Sequence, residues 1–102
     1  MTPQERKEYD LDIAKVWNKK VSDFLVGKTI KSVRYMTHEE MEDFMWYSKP
    51  VIIDFTDGSY MIPQSDDEGN NGGALYTSDK KLGVIPTIWT IKIISFTMNF
   101  SN

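Results

Sequence analysis

Cysteine is absent from all 102 residues. Thiol nucleophiles, disulfides and cysteine-based zinc sites are therefore excluded, and the composition suits a reducing cytosol. Histidine occurs once, as His38 at the start of an expected helix, a place for an exposed or hydrogen-bonded side chain rather than a metal ligand. No run approaches the ~18 apolar residues of a membrane-spanning helix. The stretch "MTPQERKEYDLD" has no apolar signal core either, so the expectation is a soluble, cytoplasmic protein with no membrane partner. A basic surplus is also missing: 12 Lys and Arg stand against 15 Asp and Glu, a formal charge of −3. Long nucleic acid is held by a basic footprint, so it is not an expected partner. The motifs H-E-x-x-H, G-x-S-x-G and the Walker P-loop do not occur.

What is present is an ordinary globular balance, 40% hydrophobic and 26% charged, with aromatics at 13%. This length fits one domain, 1–102, with a modest core that association often completes. The chain opens with "TPQE", a capping-box pattern with Pro3 at the first helical position. Tyr9, Ile13, Val16, Trp17, Val21 and Phe24 follow at spacings of three and four, and Gly27 is a stop signal. A helix is predicted over Pro3 to Val26. "KTIKSVRYM" predicts a strand, and "THEE", Thr37 to Glu40, caps a short second helix carrying Met41, Phe44 and Met45. "VIIDF" and "SYMIP" flank Thr56-Asp57-Gly58, so Asp57-Gly58 predicts the two-residue turn of a β-hairpin. "ALYT" predicts a short strand and "SDKKLG" a turn. In the tail, Trp89, Ile91 and Ile93 share one face, and Ile94, Phe96, Met98 and Phe100 the other. The phase change at Ile93-Ile94 predicts a bulge or a strand covered on both sides. The expected class is α+β: a long N-terminal helix packed on a small antiparallel sheet, with one additional short helix.

The least ordinary stretch is "SDDEGNNGGALY", Ser65 to Tyr76. An EF-hand register from Asp67 places Gly72 at position six, but Gly69 at three and Ser78 at twelve; a start at Asp66 puts Asn71 where glycine belongs. Neither register is a calcium loop, and no metal is expected. Asp66, Asp67 and Glu68, with Asp54 and Asp57, leave open a divalent-metal phosphodiesterase. A ligand loop is the other reading. Gly69, Gly72 and Gly73 allow close backbone approach, Ser65, Asn70 and Asn71 offer uncharged donors and acceptors, and successive amides can form an anion nest. Carboxylates beside such a nest accept from purine N–H groups or ribose hydroxyls. Trp46 and Tyr47 offer stacking surfaces, and Arg34 a bidentate cation for phosphate. Trp46 and Tyr47 are equally readable as core, Arg34 as a surface strand residue, and the acidic run as a solvated turn.

The block from "LVGKTIKSVRYMTHEE" through "WYSKPVIIDFTDGSYMIPQSDDEGNNGGALY" resembles a family of small phage and bacterial proteins. Its recurring pattern is a G-K/R-T-I strand start, an R-x-M-T-x-E-E cap, W-Y, a D-G hairpin and P-x-S/Q-D-x-E-G-N-x-x-G-A-L. The family looks like the phage sponges that counter cyclic-oligonucleotide antiphage signalling, the anti-CBASS proteins. The match covers roughly Leu25 to Tyr76; the first helix and the tail lie outside it. The resemblance implies a homo-oligomer without cofactor or catalysis. It would bind a cyclic dinucleotide such as 3′,3′-cGAMP in the host bacterial cytosol and withhold it from a defence effector. Carried over by position, Trp46, Tyr47, Ser65, Asp66, Glu68, Asn70 and Gly73 match the pattern, and Asp67, Asn71 and Gly72 fall at variable positions where ligand preference would be tuned. The alternatives are a direct inhibitor of a host defence protein and a metal-dependent nucleotide phosphodiesterase.

Overall fold

A computed structural model describes residues 1–89. It is an α+β fold, as expected. Helix α1 runs Pro3–Leu25, with the amide of Glu5 donating to Thr2 Oγ1 at 3.1 Å. Val26 caps the end by donating to Ser22 O, and Gly27 follows at φ +86°. None of the α1 side chains is buried. Its aromatic contact with the sheet falls in the last turn: Phe24 meets Phe55 edge-on at 6.3 Å, and Lys28 lies 4.5 Å from the Phe24 ring while paired with Asp57.

Strand β1, Ile30–Tyr35, pairs antiparallel with β3, Val51–Phe55, which pairs with β4, Tyr60–Met61, in the order β1-β3-β4. The register shifts between Ile30 and Ser32, a bulge at the edge of the β1–β3 ladder. Helix α2, His38–Asp43, starts with the complete capping box expected of "THEE". Two further antiparallel pairs, β2 (Ser48–Lys49) with β7 (Ile88–Trp89) and β5 (Leu75–Tyr76) with β6 (Val84–Ile85), complete the described elements. The turn before β6 is held by Asp79, whose side chain accepts from the amides of Lys81 and Leu82. Met36, Met41, Trp46 and Ile52 form the core, with Ile62 packed against it.

The hairpin turn differs from expectation. A two-residue type I′ turn needs positive φ at both central residues. Here Asp57 keeps negative φ and Gly58 alone reaches +89°. The amide of Gly58 donates to Phe55 O, and that of Phe55 to Ser59 O, so the loop is Thr56-Asp57-Gly58, a three-residue turn ending in a left-handed glycine. Asp57 instead braces the turn, its carboxylate accepting from the Ser59 amide at 2.9 Å and pairing with Lys28. The predicted phase change at Ile93-Ile94 lies outside the described residues; of the tail face named above, Trp89 is described, in β7 and 54% exposed.

Candidate functional site

The site region is organised by the end of α2. Met45 sits at φ +61°, a left-handed angle unusual for a side-chain-bearing residue. The Met45 amide donates to Glu42 O and the Trp46 amide to Met41 O, the paired bonds of a Schellman ending. The chain reverses there. Trp46 points inward and is 8% exposed, stacked on Phe44 at 4.9 Å and 25°. Its indole N–H donates to Gly69 O at 2.7 Å. Trp46 is therefore a core residue that also ties down the acidic-glycine loop. Tyr47, next in sequence, is 67% exposed.

The loop is closed by its own polar groups. Asn71 Oδ1 accepts from three donors, the amides of Tyr47 and Ser48 and the Ser48 hydroxyl, at 3.0–3.1 Å. Asp66 accepts from the amides of Glu68 and Asn70 and from Asn70 Nδ2, at 3.0, 3.3 and 2.8 Å. Its acidity is raised chiefly by the Asn70 side chain and then by the Asn70 amide. The amides of Ser65 and Gly73 donate to Asn71 O and Pro63 O. Gly72 and Gly73 are needed for close packing: a Cβ on Gly72 would fall 2.6 Å from Pro50 Cδ, and one on Gly73 would fall 2.5 Å from Gln64 O. An anion nest needs amides aimed at an open concavity. Those of Ser65, Glu68, Asn70 and Gly73 already donate within the protein.

The open surface lies beside the loop. One groove of about 400 Å³ is lined by Phe44, Trp46, Tyr60, Ile62, Gln64, Glu68 and Gly69. It shares Phe44, Tyr60 and Ile62 with a smaller recess that also takes in Arg34, Glu40, Ile52 and Asp54. The strand register explains this grouping. Arg34 stands opposite Ile52, and Asp54 opposite Tyr60, so these side chains share the α2 face of the sheet.

Arg34 is not a free phosphate clamp. Its guanidinium donates to both Glu40 carboxylate oxygens at 2.8 and 3.1 Å, and its Nε lies 3.7 Å from Asp54. Glu40 simultaneously closes the α2 capping box by accepting from the Thr37 amide at 2.9 Å. These bonds, that to Arg34 foremost, hold the Glu40 carboxyl down from its usual 4.5 to about 2. The Glu40 hydrogen bond correspondingly raises the Arg34 pKa.

Of the residues singled out in sequence, the joined groove gathers Arg34, Trp46 and Glu68. Ser65, Asp66 and Asp67 instead border a separate open recess with Gln64 and Trp17 of α1. Tyr47, Asn70, Asn71, Gly72 and Gly73 line neither. Sequence reasoning missed Phe44, Tyr60, Ile62 and Glu40, and read Asp54 as part of an acidic cluster for a divalent metal rather than as a lining residue of this groove. The alternation of Asp54 on β3 and of Tyr60 and Ile62 after the hairpin was the available signal. Among the described residues no three His, Cys, Asp or Glu side chains are grouped to hold a metal ion, and no helix is long and apolar enough to cross a membrane. In comparisons with known proteins, no family model, curated protein or solved structure matched the chain.

Proposed function

We propose that this chain is a non-catalytic binding protein that takes up a cyclic dinucleotide of the 3′,3′-cGAMP kind, as a homo-oligomer, and withholds it from a host effector. The observation that carries the reading is the composition of the joined groove. Phe44, Tyr60 and Ile62 give it an apolar and aromatic floor, with acceptor carboxylates of Glu40 and Asp54 toward one end and Glu68 at the other. A base stacks on such a floor, and its N–H groups or the ribose hydroxyls donate to the carboxylates. With Arg34 held between Glu40 and Asp54, the phosphates of this ligand face solvent rather than a cation in the groove. The loop from Ser65 supplies a fixed wall through Glu68 and Gly69, not a flexible clamp.

The test is calorimetric titration with cyclic dinucleotides, linear dinucleotides and mononucleotides, followed by denaturation and chromatography of the released ligand. Selective binding with intact release is expected. Tyr60, 57% exposed, is the residue to remove: Tyr60→Ala should weaken binding by about 1–3 kcal/mol, the worth of a base stack, with unfolding stability retained. Absence of binding across the panel overturns the nucleotide reading, and release of a cleaved product overturns the non-catalytic one.

A further inference from the structure

We infer that the apolar face of α1 is the contact surface for a second copy of this chain, with the two helices antiparallel. The inference goes beyond the nucleotide reading and does not depend on it.

Tyr9, Ile13, Val16, Trp17, Val21 and Phe24 lie on one side of α1 and are 39–57% exposed, although such a stripe normally faces a core. A helix of 23 residues is about 35 Å long, and isolated helices owe little stability to propensity alone. Between Trp17 and residues Gln64–Asp67 the helix also leaves an open recess, ≈ 860 Å³, beside its apolar side.

Charge selects the occupant and its direction. The first half of α1 holds Glu5, Glu8, Asp10 and Asp12 against Arg6 and Lys7; the second holds Lys15, Lys19 and Lys20 against Asp23. A parallel pair would set like halves side by side. An antiparallel pair sets the acidic half of each helix on the basic half of the other, the self-complementary arrangement of a two-fold interface. With the axis near Lys15 and Val16, Asp10 comes opposite Lys20, Tyr9 opposite Val21 and Ile13 opposite Trp17. Lys20 falls within the stripe, between Val16 and Ile13 around the helix, and lies 4.9 Å from the Trp17 ring.

Sedimentation velocity on the full chain over a range of concentrations reads the mass, and twice 11.8 kDa is expected. Asp10→Lys and Lys20→Asp should each raise the dissociation constant at least about tenfold, and the double swap should restore it. A cysteine-free chain allows a second readout. Val16→Cys, near the axis, should form an intermolecular disulfide under mild oxidant, whereas Lys7→Cys, far from it, should not. Monomer at every concentration, with the Val16→Cys thiol shielded from maleimide, would mean that the chain's own residues cover the face, and overturns the inference. Monomer with an open thiol, association unaffected by either charge swap, or equal cross-linking at both cysteines overturns it as well.

Discussion

Met41 on α2 is 4% exposed and Trp17 on α1 is 57% exposed, although each occupies the apolar stripe of a helix opened by a Thr cap. The short helix is held at both ends and buries Met41 on its inner face. Its capping box shares Glu40 with Arg34, its Schellman ending turns Trp46 beneath it, and Ile52 of β3 completes the contact. The long helix carries more apolar side chains and buries none of them. The difference separates two things that periodicity joins. A repeat of three and four fixes which side of a helix seeks cover, but the covering surface has to come from residues distant in sequence, or from another molecule.

The sharpest way to break this contrast is at Trp46. Trp46→Ala removes the largest core ring and the tie to Gly69, and should cost about 3–5 kcal/mol in urea unfolding. A loss below about 1 kcal/mol would show that the central block is no better packed than α1. Gly72→Ala tests the loop side of the same core. A methyl pressed into the Pro50 ring should cost about 1–3 kcal/mol, with the loss read as a lower urea midpoint at unchanged slope.

Acid should act on the central block next. Glu40 is held at about 2 against a usual 4.5, so the folded state binds its proton less readily than the unfolded state. Its contribution is present above about pH 4.5 and is lost as pH falls toward 2. Because both partners are more than one-third exposed, screening keeps this to about 1 kcal/mol. Asp57, depressed in the same direction by Lys28 and then by Ser59, adds to the slope. Glu40→Gln should flatten the fall in stability over that window, and an unchanged profile would remove Glu40 as its source. The smallest effect belongs to α1. At concentrations where the chain is monomeric, Val21→Ala should shift global unfolding by less than about 0.5 kcal/mol, as an exposed position does. Hydrogen exchange should then find α1 amides opening well before those of β3.

Much of the fold was legible because local chemistry decided it. Thr2 and Thr37 cap helices, β1 and β3 follow their β-branched runs, and Asp57-Gly58 marks a reversal. The form of that reversal was not legible, since Lys28, distant in sequence, engages Asp57 and the residue keeps negative φ. The two-residue strand β2 was equally hidden, being too short to show alternation. At the candidate site, composition drew attention to the acidic-glycine stretch, yet the residues lining the groove include Tyr60 and Ile62 after the hairpin and Phe44 at the close of α2. Their grouping depends on register across β1, β3 and β4, and on a left-handed Met45 that no propensity foretells.

Asn71 has a consequence for chemical ageing. An asparagine followed by glycine is prone to deamidate when the next amide nitrogen can swing onto its side-chain carbonyl carbon and close a five-membered imide. In the folded chain that carbonyl is gripped by three donors, and Gly72 is packed against Pro50, so neither partner is free to make the swing. The folded protein should resist imide formation at Asn71 and the unfolded chain should not. Aspartate and isoaspartate at this position, read from a peptide digest, would record how much of a sample's past was spent unfolded.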